Sequence, residues 1–307
     1  MKKTLFITQF FLASVVTAWA TPLAEEHVAK EAKWLVHFDM EDLLYSQFGE
    51  FAMTHAQDIF DKEMESPVSI NLRQLLKEMR SVTAYGTSFD DEAAENSVVV
   101  IKTGDKAQAI IDGYIASLEG EGHSSVEYMS RKRFPSYSIE DDLYFAFPEQ
   151  DVLVLSKSYE KIEDTADLLE GKEENVSSSD MFKTLERGDG FFLVSILHRI
   201  ADLKDFPPQA RVLQKATAAA FYAGEDGTNV EAKIMLTTES KRVSEQLYRI
   251  VMGMLALVSF AEIENKSLSA ITETMDIQKG DDFVSIHLNY PSEEIIELLN
   301  SLAKSIK

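Results

Sequence analysis

The chain has 307 residues, with 30 basic against 52 acidic side chains and a formal charge of −22. So acidic a balance opposes binding to nucleic-acid phosphates and to anionic membrane surfaces, and suits divalent cations or basic proteins as partners. Cysteine is absent, which excludes disulfide staples and thiol catalysis, and a chain of this length buries enough apolar surface to fold without them.

Met1-Lys2-Lys3, the apolar run from Thr4 to Val16 and Ala18-Trp19-Ala20 have the form of a cleavable secretory signal. The run is shorter than the roughly 20 residues a spanning helix needs, so cleavage before Thr21 is expected rather than retention as an anchor. The mature chain is then not membrane-spanning and works in the periplasm or outside the cell. Loss of residues 1–20, which hold Lys2, Lys3 and no acid, takes the charge to −24.

Trp34, Val36 and Phe38 alternate as in a strand, and Asp39 stands where a helix N-cap belongs, with Asp42 three residues on. Leu44, Phe48, Phe51, His55 and Ile59 then recur at helical spacing. After Pro67 a short helix is predicted over Leu72–Met79, followed by a hairpin of Val82–Phe89 with Ser97–Lys102 and a helix carrying Ala107, Ile110, Ile111, Tyr114 and Leu118. Strands at Val126–Met129, Phe134–Ile139, Leu143–Phe147 and Val152–Leu155 are joined by turns too short for crossovers, so they form an antiparallel meander. Tyr159–Leu169 is a helix, and the polar stretch Gly171–Ser179 reads as a linker, with a small helix at Met181–Leu185.

Phe191–Ile196 reopens the pattern as a strand, and Leu197–Leu203 is predicted as a short helix ahead of Pro207-Pro208, with helix resuming over Gln209–Lys215. Ala218–Ala223 and Val230–Thr237 make a hairpin around Asp226-Gly227. A long helix over Ser240–Ile263, a shorter one at Leu268–Glu273, a hairpin of Met275–Gln278 with Phe283–Tyr290, and a C-terminal helix begun by Pro291 complete the chain. The passage FLVSILHRIAD (Phe192–Asp202) repeats the character of WLVHFDMEDLL (Trp34–Leu44), and the later elements of the two halves come in a parallel order. The expectation is an α+β fold of two related units from an internal duplication, residues 21–172 and 173–307, with antiparallel sheets covered by helices on one face.

Trp34–Leu44, the strand-to-helix passage Asp151–Leu169 and its counterpart Asp282–Leu299 resemble a group of uncharacterised exported bacterial α/β proteins with a duplicated unit, of the kind grouped as domains of unknown function. The resemblance implies export and fold, and it brings no catalytic or binding residues with it.

Catalytic motifs do not assemble. Lys102-Thr103-Gly104 matches K-T-G, and Ser158–Lys161 and Ser301–Lys304 match S-x-x-K, but their order is reversed from that of serine β-lactamases and S-D-N is absent. G-x-S-x-G and the phosphate-binding loop are absent, and the six histidines form no H-E-x-x-H. His37 and Asp39 share one strand face and could in principle share a metal or a proton, though such a pair is more often a core-edge histidine beside an aspartate helix cap; His55 reads as an interior histidine. The acidic turns Asp90-Asp91-Glu92, Glu140-Asp141-Asp142 and Asp281-Asp282 lack calcium-loop spacing. Arg131-Lys132-Arg133, at a predicted hairpin tip, has no aromatic ladder for nucleic acid. No cofactor is implied.

Ile250–Ala261 is the most apolar stretch after the signal, and beyond Arg249 its helix has no polar face. Such a helix must be covered on all sides. Packing between the sheet and Leu268–Glu273 provides one cover. The sharper expectation is an apolar ligand pocket or homodimer face built from Ile250, Met252, Met254, Leu257 and Phe260, the methionines serving as adaptable contacts. Taken together, the sequence points to an exported, non-enzymatic binding or scaffold protein for an unknown protein or apolar ligand. The alternative is a cell-envelope hydrolase whose acid and base are scattered carboxylates brought together by folding.

Overall fold

Trp34–Asp39 forms the strand that its alternation predicts, β1, with Leu35, His37 and Asp39 buried. The computed structural model describes residues 21–54, 76–90, 93–120, 126–130, 132–139, 142–182, 190–203, 213–260, 262–263 and 266–305. The Asp39 side chain caps a six-residue helix, α1 (Met40–Tyr45), and the backbone breaks at Ser46. Helix resumes over 47–54, where Gln47 and Phe48 donate their N–H groups to the Glu225 carboxylate at 2.9 and 3.2 Å. The single predicted stripe is thus two pieces as far as residue 54; His55 and Ile59 lie outside the described residues.

β2 (Met79–Gly86) starts earlier than predicted, and β3 (Ser97–Thr103) pairs antiparallel with it. Trp34 faces Gly86 across the β1–β2 pair, and a Cβ at Gly86 would fall 2.6 Å from the indole, so a larger residue there would have to displace the Trp34 ring. α2 (Ala107–Gly120) leads to the meander β4 (Val126–Tyr128), β5 (Ser136–Ile139), β6 (Leu143–Glu149) and β7 (Val152–Ser156), and then α3 (Tyr159–Leu169). The second half supplies β8 (Leu193–His198), β9 (Ala216–Asp226), β10 (Asn229–Thr238), α4 (Lys241–Val258), β11 (Glu262–Ile263), β12 (Lys266–Ser267), α5 (Ser269–Glu273), β13 (Asp276–Lys279), β14 (Phe283–Pro291) and α6 (Ser292–Ser305). Gly227, at φ +65°, turns the β9–β10 hairpin as the Asp-Gly pair predicts.

Twelve strands form one sheet in the order β13-β14-β10-β9-β8-β1-β2-β3-β7-β6-β5-β4, and β11 and β12 form a separate pair. The seam is β1 against β8, antiparallel, with Leu35 opposite Ile196 and His37 opposite Val194. Outward from it the order is β2, β3, β7, β6 on one side and β9, β10, β14, β13 on the other.

Helices lie on both faces, not on one. Val98 and Val100 of β3 pack with Leu35, Tyr85, Ile196, Tyr222 and the α3 residues Tyr159 and Ile162, whereas Val99 and Ile101 pack with Ile111 and Ile115 of α2. The reason is the period of two: strands in the middle of this sheet are apolar on both sides and each side needs a cover. Leu247 and Val251 of α4 cover Leu236 and Val284. The expected linker is also corrected in part. Val176 and Met181 are fully buried, Val176 N–H donates to the Val28 carbonyl, and Ala29 bridges Asn175, so this passage is tied to the N-terminal segment. In place of the predicted helix at Leu197, β8 runs to His198 and a short 3-10 turn spans Ile200–Asp202.

Candidate functional site

The apolar segment of α4 departs most from ordinary core packing. Ser244, Leu247 and Val251 bury the first half of the helix against the sheet, and the Ser244 hydroxyl donates to the carbonyls of Gly280 and Phe283 at 2.8 and 2.9 Å. Beyond Val251 the cover thins: Leu255 still packs against the Leu236 and Val284 cluster, while its neighbours turn outward. Met252 and Met254 are 43% and 53% exposed, and Leu257 and Phe260 reach 74% and 85%, while Ile250 is half-buried. The expectation of a helix packed on all sides is therefore not met: α4 ends at Val258, before the predicted Ile263, and in its last turns Leu255 faces the core while Met252, Met254, Leu257 and Val258 are exposed. No helix among the described residues is long and apolar enough to cross a membrane.

His37 and Asp39, which share one strand face as predicted, are connected through Thr21. Asp39 Oδ1 accepts from the N–H groups of Glu41 and Asp42, each at 3.1 Å, and Oδ2 accepts from Thr21 N at 2.6 Å. The Thr21 carbonyl faces His37 Nε2 at 3.2 Å, and His37 Nδ1 lies 2.8 Å from Thr83 Oγ1. A carbonyl only accepts, so Nε2 carries the proton and Nδ1 accepts from the threonine hydroxyl. His37 and Asp39 are 1% and 2% exposed. Burial pushes the imidazole down to about 4, against the pull of the Thr21 carbonyl. Burial likewise raises the Asp39 carboxyl, opposed by its three N–H donors, and raises Glu41 and Asp42 beside it. Raised carboxyls in a cluster are one signature of acid catalysis. Here Asp39 is closed off and both its oxygens are engaged, so it has no free edge for a substrate.

The remaining features fall elsewhere. A cavity of about 550 Å³ lies between β2 and α3, where Tyr85 Oη meets Thr165 Oγ1 at 3.2 Å and burial pushes the phenol up to about 12. Acidic Glu31, Asp164, Glu173 and Glu174 surround it with Lys161. The basic run does not end as a free tip: Arg133 pairs with Asp167, at 2.6 Å, and with Glu170 on the α3 side, and Lys132 lies 3.7 Å from the centre of the Tyr159 ring. Asp281 pairs with Lys241 at 2.9 Å. Among the described residues no group of three or more His, Asp or Glu side chains is placed to hold a metal ion. His55, Asp91, Glu92, Glu140 and Asp141 lie outside the described residues.

Sheet, helices and site define an α+β protein built on one long antiparallel sheet. Among solved structures, crystal form III of TP0453 is similar to it, with a TM-score of 0.51 at 8% identity over 92% of this chain and 98% of that one. Crystal forms I and IV of TP0453 match with TM-scores of 0.49 and 0.47, at 8% and 11% identity and the same coverage. At such identities the likeness concerns the fold alone. No protein-family model matches the chain, and no curated protein does.

Proposed function

We propose that the protein is an exported, non-enzymatic binding protein that docks a basic protein partner through the apolar end of α4. The observation that carries this reading is the exposure of Met252, Met254, Leu257 and Phe260 on a helix whose other end is anchored in the core. Contiguous exposed apolar side chains mark interaction surfaces, and Met and aromatic residues are favoured there. Leu257 and Phe260 stand out from the surface instead of lining a concavity, which suits a groove on a protein better than a small ligand, since small-ligand sites are concave. Charge selects the partner. A second copy would bring the same negative charge, whereas a basic partner is attracted to it.

The test uses the chain from Thr21 onward and its Leu257→Asp variant. The reading expects both to fold alike by circular dichroism and thermal melting, both to sediment as monomers, and the wild type alone to capture a basic envelope protein in a salt-sensitive manner. Concentration-dependent dimers abolished by Leu257→Asp would assign the face to a second copy. Turnover of glycan or peptide substrates by either protein would favour the envelope-hydrolase alternative.

The same reading includes export by cleavage before Thr21, and an origin of the chain by internal duplication. The mirrored strand order on either side of the β1/β8 seam supports the duplication, because β1 and β8 occupy corresponding places and α2 and α4 come after corresponding hairpins.

A further inference from the structure

We propose that the α-amino group created at Thr21 by removal of residues 1–20 forms a half-buried ion pair with Asp39, so that maturation itself completes the fold at the start of α1. The inference rests on the proposed cleavage for the site of processing, and on geometry for the rest. Thr21 N already lies 2.6 Å from Asp39 Oδ2, and the Thr21 carbonyl is held by His37, so the residue is gripped on both sides of its backbone. Asp39 is 2% exposed, and the groups bonded to it are backbone N–H donors with no cationic side chain among them. A peptide N–H offers a partial charge to a carboxylate that burial has stripped of water. An ammonium at the same place offers a full charge and two further donors.

The surroundings suit a cation. Glu41 lies within hydrogen-bond reach of the Thr21 side chain, and Asp42 is the next residue. Arg80 acts on Glu41 from β2, and His37, with His27 behind it, is a further titratable neighbour. His37 is held neutral by burial, so it does not compete for Asp39. Asp39 is already buried in the uncut chain, so the carboxylate has met its desolvation cost there, and Thr21 is only half-buried, so the new ammonium is not stripped of all its water as it adds attraction. Downstream of Thr21 the chain is fixed by Val28, which is fully buried and bonded to Val176. The new end is therefore delivered to Asp39 at little further entropic cost.

The experiment compares the chain starting at Thr21 with a free amine, the same chain acetylated on that amine, and a chain retaining Ala20, each with Asp39 and with Asp39→Asn. Asparagine keeps the N-cap while removing the charge. The expected result is a folding equilibrium on the order of tenfold more favourable for the free amine than for the blocked or extended chains when Asp39 is present, and no difference in the Asp39→Asn background. The Thr21 amine, followed by its acylation rate against pH, should titrate about one unit above an ordinary α-amino group, which is the same tenfold. Equal stability of free, acetylated and extended chains, with an amine that titrates normally, would overturn the ion pair. If Asp39→Asn fails to fold, the free and acetylated wild-type chains still decide. Mass spectrometry of the exported protein separates the two premises: a start other than Thr21 overturns the role in maturation while the recombinant comparison still reports on the ion pair.

Discussion

Between pH 6.5 and 4 the protein should lose stability through His37. The ring is 1% exposed and its pKa is driven from the ordinary 6.5 down to about 4, mainly by burial. Folding prefers the neutral ring, so this contribution is complete above pH 6.5, declines as the pH falls, and has gone below about 4. At 1.36 kcal/mol per unit the span corresponds to about 3 kcal/mol, a large share of the 5–15 kcal/mol that usually separates folded from unfolded chains. His37→Gln removes the titration and retains an amide donor and acceptor. Urea unfolding of both proteins at steps from pH 7 to 4 should show the wild type losing about 3 kcal/mol relative to the variant. Burial also lowers His27 and His198 and raises Asp39, Glu41 and Asp42; these groups are common to both proteins and cancel in the difference, apart from the repulsion between His27 and His37. Parallel pH curves, or an imidazole found by NMR to titrate near 6.5 in the folded protein, would refute this origin of the acid sensitivity.

Leu247→Ala should cost about 2–5 kcal/mol in chemical denaturation because Leu247 is fully buried at the foot of α4, whereas Leu257→Asp on the same helix should stay within about 0.5 kcal/mol. Ser244→Ala removes the hydroxyl shared by two part-buried carbonyls and is expected to cost about 1–3 kcal/mol, read by the same assay; Ser244→Thr, which keeps a hydroxyl, should recover part of it. Gly227→Ala forces a side chain into the left-handed region and should cost about 1 kcal/mol, visible as a lower thermal midpoint.

The strands were legible in the sequence from apolar alternation, or from short apolar runs bounded by turn residues: β1, the meander β4 to β7, and the β9–β10 hairpin lie where these signals place them. The Asp39 cap was legible for the same local reason. The features that escaped were set by partners distant in the chain. The union of β1 with β8 in one sheet needs two segments whose patterns say nothing about edges. The burial of Val176 in a polar stretch depends on Val28. Composition made Ile250–Phe260 a candidate, but which of its side chains are covered depends on tertiary neighbours, which hydropathy does not encode. Thr21 gave no signal of its own, because its contact with Asp39 spans 18 residues and exists only once β1 is buried.

Because β1 pairs with β2 on one side and β8 on the other, a nascent chain that has not yet delivered β8 carries β1 as an open edge. An unpaired strand with Trp34, Val36 and Phe38 on one face is a template for the wrong neighbour, and the native neighbour comes from far along the chain, so closure of the seam is a slow, high-contact-order step. Until then the first half is exposed to aggregation, and a holdase that occupied the edge of Trp34–Asp39 would protect it. The same geometry makes the molecule divisible: a chain severed within Gly171–Glu174 would yield two fragments, each ending in the edge that the other completes, and mixing them should restore one sheet by strand addition.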